Sequence, residues 1–220
     1  ITAARAACID VELLFGNAAW ILPAGHLEAT GRTTWSVAFA DAHPAARPSG
    51  VHFDLEPQQL AEWRSMPAMQ PTYVADLVEV LEGMTPVAEA GGLPLTVDIG
   101  FFLDGIDVTR GGTTRPGSEW VTDAVSRVVV MDYRDSARST GFGGMIELAM
   151  DEVAYASSVG TPIVLAAETT IQDPPYITFA EEGRAAMFAA FAEVRTSFAA
   201  DAAFAGMAIH DDEGLAALGP

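Results

Sequence analysis

The stretch Gly50–Pro57 reads G-V-H-F-D-L-E-P, and its residue types alternate. In an extended chain Val51, Phe53 and Leu55 share one face, and His52, Asp54 and Glu56 share the other. Two carboxylates and an imidazole on one face are costly inside a core unless the charges are used. Pro57 has no N–H to give a ladder, so the spacing predicts a strand that stops on Glu56. A carboxylate at a strand end is suited to general acid–base work. The same trio also offers three ligand types for Zn or Mn, so a metal-dependent hydrolase using His52, Asp54 and Glu56 is a second reading. No H-x-H or H-E-x-x-H pattern supports it, and the expectation is a satisfied buried histidine with no metal or other cofactor.

The elements that must position these residues follow from periodicity. Apolar, β-branched runs at Ile9–Phe15, Val51–Glu56, Leu93–Phe102, Arg127–Tyr133, Pro162–Glu168 and Ala205–His210 read as strands. Between them lie helical stripes, such as Trp35, Ala38, Phe39 and Ala42, or Val74, Leu77, Val78 and Leu81. Met145–Ser158 forms another, and a last long helix opens with Thr178 and Glu181 as a capping box. Arg110–Gly117 and Gln172–Pro175 read as loops. Strands separated by helices imply parallel βαβ units. Five successive strands end on polar residues: Glu56, Asp98, Asp132 or Tyr133, Glu168, and His210 with Asp211. A barrel gathers such ends at one mouth. A doubly wound sheet would show a glycine fingerprint after its first strand, which Phe15-Gly16-Asn17-Ala18 lacks. The expected fold is therefore α/β, a (β/α)8 TIM-barrel-like single domain over 1–220. Six strands do not close an eight-stranded barrel, so one or two N-terminal βα units are expected to be missing. An N-terminal segment or a second copy of the chain would then complete it.

Composition narrows the partners. The 220 residues carry 11 basic and 30 acidic side chains, a formal charge of −19, which repels nucleic acid and anionic membranes. All the basic residues are Arg, a bias expected of a GC-rich genome, and the absence of Lys excludes Schiff-base and P-loop lysine chemistry. Cys8 is the one cysteine, so no internal disulfide forms, and it reads as a packed small residue. No run reaches membrane-span length and no signal peptide opens the chain, which leaves a secreted or extracytoplasmic location open.

At Ser49–Glu56 and Met131–Arg134 the chain resembles family 18 glycoside hydrolases, the chitinase-like barrels. Their fourth-strand signature D-G-x-D-x-D-x-E stands here as S-G-V-H-F-D-L-E, with Asp54 and Glu56 matching and Ser49 and His52 in place of acids. Their sixth-strand M-x-Y-D stands as M-D-Y-R, matching at Met131 and Tyr133. Where they carry a Trp at the end of the eighth strand, this chain has His210. The resemblance implies a carbohydrate substrate, Glu56 as proton donor to the glycosidic oxygen, Asp54 orienting the substrate's acetamido group, and Tyr133 holding that group during its attack. The chain is also similar to retaining glycosidases of the large (β/α)8 clan, whose acid/base Glu follows strand four and whose nucleophilic Glu ends strand seven. Leu55-Glu56-Pro57 and Ala167-Glu168-Thr169 occupy those places. In either version neighbouring carboxylates such as Asp54 are expected to raise the Glu56 pKa. Asp98, Asp132, Arg134, His210, His52 and Trp20 are the expected substrate-binding residues. For each a packing or ion-pair role is the competing expectation, and a non-catalytic sugar- or partner-binding barrel is the competing function. Asp211-Asp212-Glu213 reads as a solvated loop.

Overall fold

The computed structural model describes residues 1–219. The chain opens with α1 (Thr2–Ala6), β1 (Glu12–Gly16), α2 (His26–Ala42), β2 (Gly50–Asp54), α3 (Glu62–Ser65), α4 (Gln70–Ala90) and β3 (Leu95–Gly100). A hairpin of β4 (Asp107–Arg110) and β5 (Thr113–Pro116) precedes α5 (Gly117–Ala124) and β6 (Arg127–Met131). Then come α6 (Met145–Val159), β7 (Ile163–Glu168), α7 (Gly183–Ser197), β8 (Phe204–His210) and α8 (Asp212–Ala217). Six strands, in the order β1-β2-β3-β6-β7-β8, form one mostly parallel sheet, and the hairpin is a separate antiparallel pair. The α/β, barrel-like reading holds, and all six expected strands are present.

Two compact units divide the chain at residue 128, and each has its own core. In Ile1–Val128, β1 pairs with β2 and β2 with β3, all parallel. Val51, Phe53, Val97 and Ile99 fill one face and are 0–2% exposed, as are Leu77, Val78 and Leu81 of α4. Phe15 meets Phe53 at 5.8 Å and Trp35 of α2 edge-on at 6.2 Å. The alternation therefore did what period-2 patterning does, placing apolar side chains under helices and polar ones on the opposite face. Gly50 is required there, because a Cβ would meet Pro94 O at 2.8 Å and Glu12 Oε1 at 3.0 Å.

In Val129–Pro220, β7 and β8 pair in parallel with a register shift between Ile163 and Val164. Ile163, Leu165 and Ala167 are fully buried, along with Met145, Ala149 and Ala156 of α6 and Met187 and Val194 of α7.

Several local expectations are corrected. β2 ends at Asp54, and Glu56 sits beyond it as an extended residue (φ −84°, ψ 98°) before a 3₁₀ turn over Pro57–Gln59. The proline disfavours the α region for the residue before it, so Glu56 stays extended past the end of the strand. The Arg110–Gly117 loop is a hairpin and a helix start, turned by Gly111 (φ 58°) and Gly112 (φ 83°), both left-handed as a two-residue type I′ turn demands. Thr178 caps no helix. Its hydroxyl donates to Thr170 O at 2.6 Å and accepts from Ala180 N–H, and α7 starts at Gly183. The Glu half of a capping box appears instead at α6, where Glu147 accepts from Gly144 N–H at 2.9 Å. Asp211 caps α8 by accepting from Gly214 N–H at 2.8 Å, so its acidic run opens a helix rather than a loop. Cys8 is exposed, at φ 60° in the turn that follows α1, rather than packed.

Candidate active site

The first unit gathers its polar side chains on the face opposite the Phe53 core. Register places His52 beside Thr96 and Asp54 beside Asp98. His52 lies between two carboxylates, with Nε2 3.0 Å from Asp98 Oδ2 and Nδ1 3.3 Å from Glu12 Oε2. These are charge contacts, since Nε2 has no aligned hydrogen bond. Glu12 Oε1 also accepts from Arg127 Nη1 at 2.9 Å and from Thr96 Oγ1 at 3.2 Å. The result is a chain of alternating charge, Arg127–Glu12–His52–Asp98. Burial by itself would lower the His52 pKa, but Asp98 and Glu12 outweigh it and carry it up to about 9. Burial would likewise raise Glu12, yet His52, Arg127 and Thr96 hold it below the ordinary Glu value. The two flanking carboxylates thus favour the charged form of His52 at neutral pH.

Glu12 is the member that sequence reasoning missed. Its signal was a lone carboxylate of the right parity inside the apolar run V-E-L-L-F, against an Arg that opens another strand. Beyond β2, the Glu56 carboxylate accepts from the Nε2 amides of Gln58, at 2.5 Å, and of Gln59, which fixes its plane. Trp20 sits in a 3₁₀ turn over Ala18–Ile21 with the Arg32 guanidinium 5.8 Å above its ring. Among the described residues no set of three His, Cys, Asp or Glu side chains is placed to hold a metal ion.

The second unit holds a polar cluster of its own at the ends of β7 and β8. Glu168, 2% exposed at the end of β7, accepts at Oε1 from Thr169 N–H, Thr170 N–H and Thr170 Oγ1 at 2.7, 2.7 and 2.8 Å. Its Oε2 faces His210 Nδ1 at 3.0 Å. Tyr133 stacks on the His210 ring with centroids 6.2 Å apart. Arg134 is buried, donates to Tyr133 O and Gly143 O, and lies over the Tyr176 ring. Asp132 is fully buried, and neither carboxyl oxygen has a hydrogen-bond partner among the described residues. Burial raises its pKa well above the ordinary Asp value. Arg134 opposes that rise, and Glu152 and Glu147 add to it.

Comparison with known proteins places the fold. The chitinase of Chromobacterium violaceum is similar over 98% of this chain and 81% of its own, at 14% identity and a TM-score of 0.54. A chitinase of Rhizomucor miehei is similar over 98% of this chain and 83% of its own, at 13% identity and a TM-score of 0.52. The chain spans about half of other chitinases, such as 47% of catalytic domain 2 of the Ostrinia furnacalis group II enzyme, at 11% identity over 76% of this chain and a TM-score of 0.46. No known family model and no curated sequence matches the chain. The fold is of the kind these chitinases have, and at such identities the likeness speaks for the fold alone.

Proposed function

We propose that this chain is a glycoside hydrolase acting on an oligo- or polysaccharide, with Glu56 as the general acid. The observation that carries the reading is the end of β2. There Asp54 closes the strand and Glu56 follows two residues on, its carboxylate held by two amides, in a fold shared with chitinases. Glu56 protonates the glycosidic oxygen, and Asp54 orients the substrate's acetamido group for substrate-assisted attack. His52 and Arg127 offset the charge of Glu12 and Asp98, so the acid works beside a neutralised strand face.

The test is turnover of aryl glycosides of N-acetylglucosamine oligomers. Glu56→Gln is expected to lower turnover by roughly 10²- to 10⁴-fold with the unfolding midpoint unchanged, and unchanged turnover refutes the assignment. One observation favours a second reading, a barrel that binds sugar without cleaving it. The position where the resembled signature keeps an acid is His52, already engaged by Glu12 and Asp98. That reading predicts affinity for the same oligomers with no product.

A further inference from the structure

In the second unit the donors around Glu168 fix the protonation of its neighbour. Thr169 N–H, Thr170 N–H and Thr170 Oγ1 all donate to Oε1, and Gln172 Nε2 approaches Oε2 at 3.4 Å. A carboxylate so surrounded acts only as acceptor, so the His210 nitrogen 3.0 Å from Oε2 is the one that bears hydrogen. Nδ1–H therefore points inward, and whenever the ring carries a single hydrogen it is Nε2 that holds the lone pair. The exposures differ sharply: the Glu168 side chain is 3% exposed and that of His210 58%. Both ends are held. Thr169 N–H and Thr169 Oγ1 donate to His210 O at 2.7 and 2.9 Å, and the Tyr133 ring backs the imidazole. A buried carboxylate that orients a largely exposed imidazole is the pairing by which a general base is positioned.

We propose that His210, positioned by Glu168, is a general base for cleaving acyl esters, an activity separate from glycoside hydrolysis. Esters are the class that fits, because attack on an acyl carbon asks chiefly for removal of a proton from water, whereas an acetal needs its leaving oxygen protonated. His210 Nε2 takes a proton from water as the water oxygen bonds to the carbonyl carbon. The tetrahedral adduct then collapses, the acyl–oxygen bond breaks, and the imidazolium returns the proton to the departing alkoxide. Acid and alcohol are the products, and nothing is oxidised or reduced. Glu168 acts through His210, and Asp211, the next residue, is occupied as the cap of α8.

Two readouts test this on the full chain. In ¹⁵N-histidine NMR, His210 is expected as the Nδ1–H tautomer in the wild type and as a mixture or the Nε2–H form in Glu168→Gln. An Nε2–H wild type overturns the proposal whether or not any substrate turns over. Acetate release from glucose penta-acetate, followed by proton NMR, is the second readout. It should fall by roughly 10²-fold or more in His210→Gln. In Glu168→Gln, kcat should fall with KM little changed, while both variants keep the wild-type unfolding midpoint. No acetate release by the wild type, or release untouched in His210→Gln, also overturns it. Turnover of aryl glycosides bears only on the Glu56 reading, so the two fail separately.

Discussion

Replacing His52 by Gln and following stability against pH probes the charge chain of the first unit directly. Folding carries the His52 pKa from 6.5 to about 9, because Asp98 and Glu12 outweigh burial. Each unit of pKa corresponds to about 1.4 kcal/mol, so the difference corresponds to about 3 kcal/mol. The side chain is 19% exposed, which keeps solvent screening modest. The pKa is raised in the folded state, so the stabilisation is complete below about pH 6.5 and disappears as pH rises through about 9. The assay is thermal unfolding of wild type and His52→Gln, followed by tryptophan fluorescence, at about pH 6 and about pH 10. For a chain of this size about 3 kcal/mol corresponds to about 6–12 °C in Tm. The wild type is expected to lose that much more than the variant across the window, because tyrosine titration is common to both proteins and cancels. Parallel pH profiles would mean that folding does not raise the His52 pKa, and the argument for a neutralised strand face would fall with it.

Loss of turnover in Glu56→Gln, with an intact fold, is expected on the glycosidase reading and is measured with aryl glycosides as above. Asp132→Asn should stabilise the chain more at about pH 7 than at about pH 4. A buried carboxyl whose pKa is raised costs stability once pH exceeds its unfolded value, and urea titrations at the two pH values read the difference. Gly112→Val, at φ 83° in the β4–β5 turn, should cost about 1–2 kcal/mol or more, seen as a lower urea midpoint with an unchanged slope. An unchanged midpoint would show that the turn is not left-handed.

Much of the fold was legible because period-2 alternation and helical stripes are local signals. Val51, Phe53 and Leu55 against His52 and Asp54 announced a strand with one polar face, and the six apolar runs all became strands. The hairpin at Gly111-Gly112 was also written in its turn chemistry, but flanks of Thr, Arg and Asp lacked the apolar alternation that marks a buried pair. Helix starts were less legible, since Thr178 and Glu181 had the spacing of a capping box while the Thr178 hydroxyl was taken by Thr170 O.

By itself the sequence determined which residues carry charge on which strand, and hence that Asp54, Glu168 and His210 stand at strand ends, with Glu56 just past one. It could not determine what those charges face. That Glu12 joins His52, and that Glu168 turns the Nδ1–H of His210 inward, depends on register between strands and on contacts 40 and 42 residues apart in the chain. Alternation has a range of a few residues, whereas an imidazole's charge and tautomer are set by whichever carboxylate folding brings within about 3 Å. The tertiary structure alone makes that choice.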